Sequence, residues 1–498
     1  VKTDPTLNQA HQQYGRNPYV NALRFNTQEM RHFLIEAWSL GWPIILMMFF
    51  QFSIGVTDVY VAGFLGTGIL AAVGYVSQLY WTLIILANGI TVGTVSMISQ
   101  AYGAKSVDGV GSITAHSIII GVIIAGVLTV VAQVYPAGIV GLAGIPEGIQ
   151  EIARDFLQVF SLVLVPTYLM IITGGVLRSS GRVRLAMANS FAAALLNVAL
   201  DVVLSFGWSP VPAMGYIGIA WATATSTTVG MLLNMSHIFL GSGRIRIEAL
   251  VRPRLRCIKN LLKLGVPSAL QQTAWNAGTL VIYFLVGRMQ GGEITALAAM
   301  TGGVRIEAFI FLPVFALNMA AAVLAGNKLG AGDPDGARSV ATATAGMCLL
   351  IVLVPTVLIF IFAPDISGMI TQDRAVLEEM TRYLRVNMLG TPFLAIGISL
   401  SGALQGAGDT MATMRIIFTG MWLFRIPLIL VCIHVIGTGA LGVWASMTVS
   451  MVFMCSLLVH RFMGEAWMKA SLDKKSKTLL WQTCLSDAHR TGQSQNSR

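Results

Sequence analysis

Charged residues are scarce in this sequence. Asp, Glu, Lys and Arg make up 11% of its 498 residues, against about 25% in an average soluble domain. A chain so poor in charge cannot cover itself with water-facing side chains, which excludes an ordinary soluble globule and makes lipid part of its solvent. Cysteine is sparse as well. The five residues, Cys257, Cys348, Cys432, Cys455 and Cys484, form no CxxC pair, so a metal or redox centre of that kind is excluded, and they read as core filler. The seven histidines are scattered and neither HExxH nor GxSxG occurs, which leaves no hydrolase site and argues against an enzyme. His116 and His237 read as packed or interfacial helix residues. The glycine-rich stretches "GAKSVDG" (103–109) and "GAGDPDG" (330–336) lack the GKS or GKT ending of a phosphate cradle, so any work done by the protein must draw on an ion gradient. The strict polar/apolar alternation of a membrane barrel is missing too, and no secretory signal is legible ahead of the first apolar run.

What is present is apolar sequence in long runs. Hydrophobic residues make up 55% of the chain, and stretches long enough to cross a bilayer, about 20 residues each, recur at 34–64, 68–100, 110–136, 152–178, 183–207, 214–241, 257–288, 293–328, 338–364, 379–405, 412–436 and 439–463. The sequence therefore predicts an all-α integral membrane protein with twelve transmembrane helices. The abundance of Gly and Met, 51 and 24 residues, suits close helix packing and adaptable apolar surfaces. Residues 1–33 read as a polar segment ending in an amphipathic lead-in, and 464–498 as a polar, mobile cytoplasmic tail. The net charge of +10 does not point to nucleic acid. Most Lys and Arg fall on alternate connections, with a dense cluster from Arg244 to Lys263, while the connections near 65, 140, 210 and 437 hold none. That is the positive-inside pattern of a multi-pass protein of the cytoplasmic (inner) membrane with both termini cytoplasmic, and anionic lipid is the partner it favours.

The chain also repeats itself. "SQAYGAKSVDG" (99–109) matches "GNKLGAGDPDG" (326–336), and "GGVLRSSG" (174–181) matches "SGALQGAG" (401–408), both at an offset of 227. "LGWP" (40–43) returns as "LGVP" (264–267) at 224. Two homologous six-helix bundles follow, 34–241 and 257–463, joined by a basic linker at 242–256. With an even number of spans in each, they are related by a pseudo-two-fold axis along the membrane normal and enclose a cavity near the midplane. This is transporter architecture, in a chain that reads as a monomer.

Against this background Asp58 stands out, the one acid in "QFSIGVTDVYVAG" (51–63). A charge at the bilayer centre costs at least about 2.5–3.5 kcal/mol. The equivalent position in the second repeat is Ile282, so the scaffold does not require the acid. In "NVALD", Asn197 and Asp201 stand four apart and share one helix face. Together the three residues offer only hard oxygen atoms, suited to Na⁺ or a proton and not to a soft metal. Two buried carboxylates would titrate as a coupled unit, and a bound cation would displace the proton they share. Pro43, 15 residues before Asp58, permits a kink in the same helix, by which the state of Asp58 could reshape the cavity. Asp409 in "GAGDT" reads as a loop or cap residue.

The paired "SQAYGAKS" and "GNKLGAGDPDGAR", the "GALQGAGDT" element, "LNVALD" and "TDVYVAG", in this order and spacing over about 40–460, resemble the multidrug and toxin extrusion (MATE) family. The resemblance implies a secondary active antiporter that exports organic, mostly cationic, drug-like amphiphiles in exchange for Na⁺ or protons, with no other cofactor. It also implies that Asp58, Asn197 and Asp201, with a hydroxyl from Thr223 on the sixth helix, form the cation or proton site of the first bundle. One branch of the family carries an acid on helix seven where this chain has Trp275, which puts a second Na⁺ site in doubt. In the second bundle, Arg305 and Glu307, both candidates for the substrate cavity, point apart at i, i+2. Glu307 faces either the central cavity, where it attracts cationic cargo, or Arg425, and Gln271, Gln272 and Trp275 line a substrate route or pack in the core. Competing readings are a flippase for lipid-linked oligosaccharide or cell-wall precursors, which needs several arginines for pyrophosphate, an intramembrane enzyme, and a receptor or scaffold.

Overall fold

A computed structural model describes residues 27–209, 212–240, 253–289, 291–470 and 479–485. Residues 1–26 of the N-terminal segment, 242–252 of the linker, and 471–478 and 486–498 of the tail lie outside the described residues. The described chain is helical almost throughout, because long apolar runs without polar alternation can satisfy their backbone groups only internally. In chain order the helices are α1 (Thr27–Leu65), α2 (Thr67–Gly103), α3 (Val107–Val134), α4 (Pro136–Leu142), α5 (Gln150–Leu162), α6 (Leu164–Ser179), α7 (Val183–Phe206) and α8 (Tyr216–Phe239). The second half carries α9 (Leu255–Gly287), α10 (Glu293–Gly330), α11 (Pro334–Ile361), α12 (Ala363–Ile370), α13 (Arg374–Gly406), α14 (Thr410–Ile436) and α15 (Gly439–Met463). Among the described residues nine helices are long and apolar enough to cross a membrane, or ten if the pair α5–α6, bent by 45°, is one span. Pro166 accounts for that bend: it has no N–H to offer the carbonyl of Leu162, and its ring crowds that carbonyl. Large apolar side chains such as Leu280, Leu350 and Leu423 stand more than half exposed, as a lipid-facing belt requires.

The two halves repeat each other in detail. Helices α3 and α11 begin and end 227 residues apart. Each opens with the same capping device, Ser106 Oγ accepting from the Gly109 amide at 3.2 Å and Asp333 Oδ1 from the Gly336 amide at 2.8 Å, which satisfies a first-turn donor. The preceding residues, Lys105 and Gly332, both adopt left-handed backbone, φ 56° and 77°. Gly fits that conformation without strain and Lys does not.

The halves meet through small residues. A Cβ at Gly103 would fall on the backbone carbonyl of Asn327, and one at Gly330 on that of Gln100. Gly103 and Gly330 are repeat equivalents, and so are Gln100 and Asn327, so the α2–α10 crossing is one contact made twice about a pseudo-two-fold axis. Ser96 Oγ and Gln100 Nε2 both donate to the Gly406 carbonyl of α13, at 3.0 and 2.9 Å. Lys328 on α10 pairs with Glu36 on α1 at 3.3 Å. This end of the molecule is closed by backbone-to-backbone contact between the halves.

Two expectations from sequence are corrected. Cys257 and Cys484 are not core filler but a disulfide, because the chain end folds back onto the start of α9; Cys348, Cys432 and Cys455 remain free. The tail is not uniformly mobile either. Two short 3₁₀ turns, Ala466–Lys469 and Leu480–Cys484, bury Trp467 and Trp481, since two indoles bring more apolar surface than the surrounding polar sequence can keep in water.

The crossing glycines give a stability prediction. Gly330→Ala should destabilise the protein by about 1–3 kcal/mol through overpacking. Gly126→Ala, where a Cβ meets nothing within 4 Å, should be neutral or gain up to about 1 kcal/mol. Thermal unfolding of the two variants in detergent checks the contrast, and equal midpoints would rule out the close crossing.

Candidate functional site

Helices α1, α7 and α8 bring a set of oxygen atoms together inside the first half. Asp58 comes from the latter part of α1, Asn197 and Asp201 from successive turns of α7, and Thr223 from α8. Asn197 and Asp201 are fully buried, and Asp58 and Thr223 are 8% and 7% exposed. The Asp58 and Asp201 carboxyl groups face each other, with the Thr223 hydroxyl beside Asp58. Asn197 Nδ2 donates to Thr223 Oγ1 at 3.3 Å, which fixes the amide so that its oxygen points elsewhere. Asp58 Oδ1, Asn197 Oδ1, both Asp201 oxygens and Ser205 Oγ are buried with no hydrogen-bond partner. Neither acid forms an ion pair with a basic residue among the described residues.

Buried polar atoms without partners are rare in folded proteins and call for a proton, a water or an ion. Here they are all oxygens, two of them on carboxyl groups, so the donor set fits a hard cation or a shared proton. No group of three or more His, Cys, Asp or Glu able to hold a metal occurs among the described residues, consistent with only two acids here. Ser205 is the member that sequence reasoning missed. Its signal was the i, i+4 ladder 197–201–205 on α7, which places a third oxygen on the same face.

The second half holds a different cluster. Glu307 on α10 is buried at 4% exposure. It shares its surroundings with Tyr383 of α13 and Arg425 of α14. No ion pair closes between Glu307 and Arg425 among the described contacts. Arg425 Nε donates to Ser450 Oγ at 2.5 Å, and its guanidinium lies 5.5 Å from the centre of the Trp275 ring, a cation–π placement. Arg425 ends the π-helical stretch Thr419–Arg425. Arg305 is exposed on α10. Gln271 and Gln272 are half-buried where α9 meets its neighbours: Gln271 accepts from Gln405 of α13 at 3.4 Å and Gln272 from Asn88 of α2 at 3.5 Å. Pro43 lies inside the 39-residue α1, which runs on through it. Asp409 directly precedes α14 and pairs with Arg461 at 2.7 Å. His116 is packed, Nδ1 against the Ser112 carbonyl at 2.7 Å and Nε2 accepting from the Arg254 amide at 2.8 Å.

Comparison with known proteins finds the same fold. The family model described as MatE matches twice, at residues 43–203 and 267–431. A probable multidrug resistance protein NorM from Thermotoga maritima is 26% identical over 434 residues, covering 87% of this chain and 92% of the relative. A solved structure described as MATE in the bent conformation superposes with a TM-score of 0.80 at 20% identity, covering 88% of this chain and 98% of that one. A MOP superfamily transporter from Pyrococcus furiosus, whose binding pocket is described as reversed in polarity, superposes with a TM-score of 0.78 at 21% identity, covering 89% and 96%.

If the acids serve a ligand and not the fold, apolar substitution should spare stability. Asp58→Ile, which copies the second repeat, and Asp201→Leu should be as stable as the parent or more stable by up to about 4 kcal/mol, and so unfold at the same temperature or higher. Added Na⁺ or acid should shift the parent's midpoint and leave the variants unmoved. Collapse of both variants in detergent would make the cluster structural.

Proposed function

The chain belongs to the MatE family of membrane transporters, and from that premise we propose that it is a cation-coupled efflux transporter that exports organic cations in exchange for Na⁺ or protons. The observation that carries this is the Asp58–Asp201 pair, buried without a basic partner among the described residues, beside the unpaired oxygens of Asn197 and Ser205. Such a site is incomplete until a proton or a hard cation enters it, and a site that must be filled can be alternately loaded and emptied.

The coupling is electrostatic. A single charge moving across the membrane potential carries about 2.3 kcal/mol per 100 mV, and the acid pair is where that charge would be held in transit. Twelve spans in two lobes, 34–241 and 257–463, with both termini cytoplasmic in the inner membrane, place the glycine-sealed crossing of α2 and α10 at the cytoplasmic end. The lobes then separate and rejoin at that crossing in turn with the opposite end. Filling or emptying the site changes the charge on α1, and Pro43 lets that helix bend in response. Gln272, half-buried against Asn88 of α2 where the halves meet, and its neighbour Gln271 belong to the passage, and the half-buried Trp275 stacks beneath Arg425 behind it. Drug-like organic cations are the cargo that an acid-bearing lobe attracts. The lipid-linked precursor alternative would need several arginines facing the passage, and Arg178 and Arg425 are both enclosed within separate helix sets.

The test is dye export from proteoliposomes under an imposed pH or Na⁺ gradient. Asp58→Asn and Asp201→Asn should each lower gradient-driven export of an organic cation by about tenfold or more, and the gradient that drives the parent names the ion. Undiminished export by Asp58→Asn under both gradients would overturn the coupling role. Binding of a lipid pyrophosphate with indifference to cationic dyes would favour the flippase.

A further inference from the structure

The chain end carries two anchors, one in each half. Trp467 donates its Nε1–H to the Phe462 carbonyl at 2.8 Å and stacks on the Phe462 ring, centroids 5.2 Å apart, in a core built from α10, α11, α13, α14 and α15. Trp481, 2% exposed, packs on α3 at Gly109, where a Cβ would come within 3.0 Å of the indole. Leu480, Trp481, Cys484 and Leu485 share one core with Met97 and Ala101 of α2 and Ile113 of α3, and with Cys257, Leu261 and Leu264 of α9.

Polar contacts fix the same segment. The Cys484 carbonyl accepts from Ser112 Oγ and from Arg254 Nη1, both at 2.8 Å, and Asn260 Nδ2 donates to Thr483 Oγ1 at 2.9 Å. The Cys257–Cys484 disulfide then ties this segment to the first turn of α9.

We propose that Cys257 and Cys484 form a thiol–disulfide switch that straps residues 479–485 onto the proposed cytoplasmic face and, when closed, holds α9 against α2 and α3. Helix α9 straddles the two halves. Its first turns lie against Gly89 and Gly93 of α2, while Ile282 and Val286 near its end join the core of the second half. Parting the halves at this end requires those first turns to leave α2. The strap opposes that by covalent attachment to α9 and by the Trp481 and Ser112 contacts to α3. This consequence for transport rests on the proposed function; the strap itself does not.

The chemistry is thiol–disulfide exchange with a low-molecular-weight disulfide. One protein thiolate attacks the small disulfide, forming a mixed disulfide and releasing one small thiolate. The second protein thiolate then displaces the other small thiolate and closes the Cys257–Cys484 bond. Two protein thiols are oxidised, one small disulfide is reduced to two thiols, and the two protons pass to them. Disulfides facing a reducing compartment are mostly transient or sensing, which suits a switch better than a permanent brace. Cys257 and Cys484 are 0% and 1% exposed, so the closed bond is shielded until the segment lifts, because exchange needs access to the sulfur.

The full-length protein in liposomes, equilibrated with oxidised glutathione or with dithiothreitol, tests this by three readouts: mass spectrometry of alkylated peptides, amide hydrogen exchange over residues 255–265, and export of a cationic dye. Oxidation should link the two cysteines, slow exchange at the start of α9 by at least about tenfold, and lower export by at least about fivefold, with dithiothreitol reversing all three. Cys484→Ser should match the reduced parent under both conditions. Trp481→Ala keeps both cysteines and should speed reduction of the bond by at least about tenfold. Formation of the bond with no change in exchange, or free alkylation of Cys484 under oxidised glutathione, would overturn the switch. A parent that exports nothing in either state counts against the transport function, and hydrogen exchange still decides the strap.

Discussion

Two carboxyl groups, Asp58 and Asp201, sit face to face inside a helix bundle, with no basic side chain paired to either among the described residues. In low dielectric both cannot stay charged and unaccompanied at modest cost, so the surrounding protein has to be stable enough to carry the cluster. The close crossings at Gly103 and Gly330 and the interlocked cores on either side provide that stability at the opposite end of the bundle. The cost is local, and the compensation is spread through the packing.

The second half solves the problem of buried charge differently. Glu307 shares its interior with Arg425, Tyr383 and Trp275, so opposite charges occupy one region and the guanidinium is held by Ser450 and an aromatic face. One repeat thus buries two acids with no basic side chain paired to either among the described residues, and the other buries its acid in the same region as an arginine. An architecture that is symmetric in its backbone is asymmetric in its electrostatics.

Much of this was legible before any coordinates. Long apolar runs dictate helices, because nothing else satisfies a backbone in oil. The i, i+4 spacing on α7 and the lone acid in α1 picked out Asp58, Asn197 and Asp201, which lie together. Three things escaped. Ser205 passed unnoticed since a serine in an apolar helix usually bonds its own backbone. The depth of Glu307 depends on how α10, α13 and α14 pack, which no local pattern encodes. The Cys257–Cys484 bond joins residues 227 apart, and only the return of the chain end to the start of α9 reveals it. The indoles at 467 and 481 were the available hint that this end is anchored.

The crossing of α2 with α10 has an implication for how such a chain arose. Gly103 meets Asn327 as Gly330 meets Gln100, so each surface is complementary to its own copy. A polypeptide of half this length, bearing one such glycine, could therefore dimerise through a true two-fold axis. Fusion of two such copies would leave each free to vary on its own, as Asp58 and Ile282 now do.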